Sequence, residues 1–132
     1  MKVIFTVVGG FLGWFLGGFD GFLYALVTLV VVDYLTGVAL AIYNKQVSSE
    51  IGFKGILKKI FIFILVGVGN IIDLYLLNET GPIRTAIIFF YISNEGISIL
   101  ENISKTSLPI PEFLKSILEK YQNNKYKLDN KK

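Results

Sequence analysis

Residues Phe22–Tyr43, FLYALVTLVVVDYLTGVALAIY, hold one charged side chain, Asp33, in an otherwise uncharged run. At ~1.5 Å rise per residue such a run makes a helix of roughly 33 Å, enough for a hydrocarbon core of about 30 Å. A helix facing water would repeat polar residues along one side. This block is close to apolar all round, so lipid or neighbouring helices must surround it.

Three similar blocks lie around it: Val3–Phe19 before it, and Ile56–Leu77 and Ile83 to about Leu100 after it. Charged residues make up only 17% of the chain, against about a quarter in soluble domains, and most lie between the blocks. The expected fold is an all-α membrane protein with about four short transmembrane helices within residues 1–104. An amphipathic cytoplasmic helix at 105–122 and a basic, disordered tail at 123–132 follow. An alternative keeps three spans and makes the N-terminal block a hairpin or anchor. A signal peptide fits poorly, because bulky Phe and Trp run on to Phe19 with no small-x-small cleavage site.

The breaks between blocks have local causes. Gly17, Gly18, Asp20 and Gly21 suit a tight turn, with Gly ending one helix and Asp20 capping the next. Asn78–Pro82 makes a second turn, since Pro82 cannot continue a helix. The stretch from Asn44 to Gly55 is polar, with Ser48 or Ser49 as the cap of a short interfacial turn. With four spans every lysine falls on one side: Lys2, then Lys45, Lys54, Lys58 and Lys59, then Lys105, Lys115, Lys120 and the tail. Cytoplasmic flanks carry the excess of Lys and Arg, so both termini are expected in the cytoplasm of a bacterial cell. Lys45, Lys54, Lys58, Lys59, Lys115 and Lys120 are then surface residues that fix topology. Arg84 is the sole cation on the far side, where Glu79 is its expected partner.

Cys and His are absent, which excludes disulfides, thiol nucleophiles, imidazole acid–base chemistry and His/Cys metal sites. No metal, cofactor or nucleic acid is expected, and no catalytic constellation is present. Polar residues inside the blocks carry the chemistry instead. A carboxylate at membrane depth costs about 2.5–3.5 kcal/mol and normally faces water or a partner. Asp33 and Thr36 share a helix face with Gly37; Asn70 and Asp73 share one with Gly69. Tyr91, Glu95, Ser98 and Asn102 form a stripe on the fourth block, flanked by Asn94. These faces either line a lumen or meet other subunits; the alternative is a static, paired network inside one chain. Gly9, Gly13 and Gly17 recur every four residues, a spacing that suits close helix packing in lipid. In the tail, Phe113, Leu114, Ile117, Leu118 and Tyr121 oppose Lys115, Glu119 and Lys120. Such a helix can lie on the inner leaflet or against a neighbouring subunit.

The ordered set of motifs resembles the holins of phage lysis and clostridial toxin secretion. The resemblance rests on Asp33-Tyr34-Leu35-Thr36-Gly37, the SEIGFKGILKK linker from Ser49 to Lys59, Arg84-Thr85-Ala86, and Tyr91–Glu95 followed by Ile97–Asn102. Pro109-Ile110-Pro111 and the helix after it also fit, so the match covers about residues 20–120. It implies a homo-oligomer in the bacterial cytoplasmic membrane that opens pores or lesions, causing cytolysis or releasing an endolysin or a signal-less toxin. Its partners are then the lipid bilayer, copies of itself and an inhibitory antiholin. An antiholin with the same fold, or a small ion channel or transporter, is the competing reading. Members of the family often have three spans, which bears on the N-terminal block.

Overall fold

The structure is a computed structural model that describes all of residues 1–132. The chain is all helical: α1 (Lys2–Leu16), α2 (Gly21–Tyr43), α3 (Ser49–Ile71), a π-helical turn (Ile72–Leu77), α4 (Pro82–Ser104) and α5 (Glu112–Asp129). Most boundaries lie on residues that enforce them. Gly17 ends α1 in the left-handed conformation, φ 84°, and the Gly18 amide donates to Gly13 O at 2.7 Å. Asp20 caps α2 by accepting from the Leu23 amide at 2.9 Å, and Ser48 caps α3 through the Ile51 amide. Pro82 opens α4, where its missing N–H costs nothing.

Three helices are long and apolar enough to cross a membrane: α2, α3 with its π turn, and α4. α1 is not, because Gly17 stops it after 15 residues, about 22 Å of helix. The arrangement is therefore three spans plus a short N-terminal apolar helix. α3 starts at Ser49, so much of the polar stretch expected as loop is helix. The Ser48 cap, Glu50 in the first turn and a Glu50–Lys54 pair at 3.3 Å all favour that start. α5 likewise runs to Asp129, past the expected end at Gln122. The tail holds no Gly or Pro to stop it, and extending a formed helix is easier than starting one.

α2 packs mainly on α4, α3 sits against both, and α1 rests on α3. Leu16, Leu23, Leu26, Val30, Ile62, Val66 and Ile88 form the buried core. Close approach needs small residues at two points. A Cβ on Gly67 would overlap the Phe15 ring, and one on Gly69 would lie 2.7 Å from Ile87 Cδ1. Only 15 of the 132 residues are buried. Phe61 and Phe90, each 60% exposed, belong to an apolar exterior that water would not tolerate; lipid accounts for it.

Candidate functional site

The polar residues of the spans gather into two knots. The first lies at the end of the bundle marked by the α3–α4 turn. Asp73 is 1% exposed, and its carboxylate accepts from the Ile83 and Arg84 amides at 2.9 Å each. It thereby caps α4 and favours the positive end of that helix's dipole. The Arg84 guanidinium turns inward and donates to Leu16 O at 2.5 Å, to Gly18 O at 3.1 Å and to both oxygens of Asp20 at 2.8 and 3.1 Å. Asn70 donates to Trp14 O and Phe15 O, both at 3.1 Å. The last carbonyls of α1, orphaned at any helix end, thus find donors on α3 and α4. The hydrogen bonds from Arg84 hold the Asp20 carboxyl below the ordinary carboxylate range, against a smaller opposing effect of burial.

The second knot lies near mid-span. Lys59 Nζ stands 2.6 Å from Asp33 Oδ2 and 2.7 Å from Glu95 Oε2, joining α3 to α2 and α4 at once. Asn102 Nδ2 donates to Asp33 Oδ1 at 3.1 Å and to Thr36 Oγ1 at 3.0 Å. Measured along the helices, Asp33 and Lys59 each lie about 15 Å from the α2–α3 loop, so the three charges meet at one depth. No buried side-chain nitrogen or oxygen lacks a partner.

Several expectations change on this geometry. Lys59 is not a surface lysine: it is the shared counterion of the two membrane acids. Arg84 does not pair with Glu79 but clasps the α1–α2 turn through Asp20. Asn70 and Asp73 bind within the first knot, whereas Asp33, Thr36, Glu95 and Asn102 meet in the second, with Ser98 lining the space beside them. Tyr91 packs against the apolar core. Asn94 joins neither knot and is half-exposed. Lys45, Lys54, Lys58, Lys115 and Lys120 are exposed. A Cβ at Gly9 would meet nothing, one at Gly13 would meet Phe19 of the same chain, and Gly17 lies outside α1.

A signal for Lys59 exists in the sequence. Stepping back along α3 from Asp73 through Asn70, Val66 and Ile62 reaches Lys59 on the same face. Tyr34 was prominent only as part of a motif. Its ring spans from α2 to α3, close to Gly52 and Gly55.

Among known proteins, a profile of the bacteriophage holin family matches residues 10–123. A protein of Clostridium perfringens, "Uncharacterized 14.9 kDa protein in nagH 3'region", is 42% identical over 89% of each chain. Protein Lmo0128 of Listeria monocytogenes is 43% identical over 83% of this chain and 78% of its own. A "Probable holin" of Bacillus phage phi105 is 35% identical over 65% of this chain and 63% of its own. No solved structure matches. The match spans all three membrane helices and both polar knots, and on it this chain belongs to the bacteriophage holin family.

Proposed function

We propose that this chain is a holin that accumulates in a bacterial cytoplasmic membrane, associates with copies of itself and opens a lesion. An endolysin, or a toxin without a signal peptide, leaves the cell through it. Family membership supports the class of function. The observation that supports self-assembly lies on α4. Asn94 stands in the middle of that helix outside both knots, whereas its neighbour Glu95 accepts from Lys59 and Asn102 donates to Asp33 and Thr36. Ser93 beside it is exposed, so α4 presents two adjacent polar side chains outside the knots. Lipid tails offer an amide no partner, whereas a small, polar patch on a second helix does.

The protomer itself is closed, since apolar side chains fill one half of the bundle and the ion triad crosses the other. Any hole wide enough for a folded enzyme therefore forms between copies. Lys45 in the α2–α3 loop, Lys54 and Lys58 at the start of α3, Lys105 after α4 and the six lysines of α5 and the tail lie at one end of the three spans, and the positive-inside rule assigns that end to the cytoplasm. The N-terminus, with Lys2, belongs there too in this reading. The chain acts without catalysis.

The test is induction in a bacterial host that co-expresses a cytosolic cell-wall hydrolase. The expected result is collapse of the membrane potential together with release of the hydrolase. Unchanged potential and no release at high expression would overturn the proposal, ion leakage alone would mark a small channel, and suppression of lysis by a known holin would mark an antiholin.

A further inference from the structure

On the loop side of the ion triad, α2, α3 and α4 line a partly open cavity of about 440 Å³. Its lining runs from Gln46 and Ser48 in the loop to Lys59 and Ile62 on α3, a depth of about 20 Å at helical rise. Tyr34 lines the space with its ring toward α3: a Cβ at Gly52 would lie 3.5 Å from the Tyr34 hydroxyl and one at Gly55 3.9 Å from its ring, both ordinary contact distances. The polar floor consists of Asp33, Lys59, Glu95, Ser98 and Asn102. Beyond it, Leu26, Val30, Val66 and Ile88 close the bundle.

Two carboxylates face one ammonium at this floor, leaving one formal negative charge if all three groups are ionised. A dry pocket at membrane depth would leave that charge uncompensated, which is strongly unfavourable, or force a proton onto one of the acids. The cavity has the room, the polar groups and the opening to admit water instead. We propose that it is an aqueous vestibule, reached from the α2–α3 loop end of the bundle, which draws small monovalent cations toward Asp33 and Glu95 and turns anions away. The inference stands on the cavity, its charge and its closed far end; a chain that never lysed a cell would still have it.

The chain has no cysteine, so each substituted variant carries one thiol. Ser98→Cys and Gly55→Cys report on the vestibule, Val47→Cys on the loop and Val66→Cys on the dry core. Each full-length variant is reacted in membrane vesicles of both orientations with a trimethylammonium and with a sulfonate methanethiosulfonate. Both vestibule thiols should react only in the orientation in which Val47→Cys reacts, and Val66→Cys in neither. The rate ratio of cationic to anionic reagent at Ser98→Cys should exceed that at Val47→Cys about tenfold, the lower end of electrostatic focusing in a charged cleft. Adding Glu95→Gln should return the ratio to the loop value.

Folding of each variant is checked by its thermal transition in detergent, and Gly55→Cys serves if Ser98→Cys fails that check. Folded vestibule variants that do not react, that react from the opposite side, or that show the loop's charge ratio would overturn the proposal. Lysis assays do not enter the readout, so failure here and failure of the holin reading are separate results.

Discussion

The ammonium of Lys59 stands between two carboxylates, and neither acid has another cation in reach. Removing one partner from a buried ion group leaves uncompensated charge, at a cost of about 3–5 kcal/mol, whereas replacing the whole group by neutral residues is often tolerated. Lys59→Met should therefore destabilise the detergent-solubilised protein by about 3 kcal/mol, and adding Asp33→Asn with Glu95→Gln should restore most of the loss. Denaturant unfolding followed by circular dichroism checks both, and a silent Lys59→Met would refute the triad. Asp33 and Glu95 were legible in the sequence as costly membrane acids. Their partner was not, because a lysine pair near the edge of an apolar block reads as membrane-surface charge until the helix start at Ser49 is known.

Gly17 and Asp20 separate in the same way from residues that look like them. A side chain at Gly17 would need the left-handed conformation and would press within 2.6 Å of Arg84 Nε and 2.7 Å of Asn70 Oδ1. Gly17→Ala should cost about 1–2 kcal/mol from the backbone alone, and Gly9→Ala, in open space, less than about 0.5 kcal/mol. The four-residue repeat put both on one seam; only the cap geometry divides them. Asp20 keeps its charge to lower pH when folded. Its contribution is complete above its unfolded value near 3.8 and is lost as pH falls below that through the lower folded value. Hydrogen exchange in the α1–α2 turn should rise in that acid range in the native protein, and Asp20→Asn should show the faster exchange already at neutral pH.

At the scale of elements, α3 has two unlike halves. One is pressed against Phe15 and Ile87 at Gly67 and Gly69, while the other stands off α2 across the cavity that Tyr34 lines, tied to it by Lys59. The apolar blocks made three spanning helices legible, and Asp20 caps α2 as its residue type suggests; Ser48 caps the whole of α3 rather than a short interfacial turn, and Pro82 opens α4 rather than only closing the turn before it. The length of α1 was harder to read, because Gly17 and Gly18 are apolar enough to extend a hydrophobic block while their backbone ends the helix. α4 carries the unpartnered polar patch. Polar contacts between membrane helices average about 0.6 kcal/mol, so Asn94→Leu should weaken self-association about threefold. Energy transfer between labelled copies in liposomes measures this, and an unchanged association constant would remove Asn94 from the interface.

For the whole molecule, the knots have opposite consequences. The Arg84 knot ties α1, α2, α3 and α4 together at one end, and the Lys59 knot consumes the acids that a lumen within the chain would have used. The polar faces were legible as faces, and a paired network inside one chain as one of two readings; choosing it required knowing where three separate helices cross. A closed protomer confines any lesion to the contacts between copies. The direct measurement is dye release from liposomes as the mean number of copies per vesicle rises from below one. A closed protomer should give no release from vesicles holding a single copy and a rise steeper than linear thereafter. Release in proportion to the fraction of vesicles that hold one copy would contradict it.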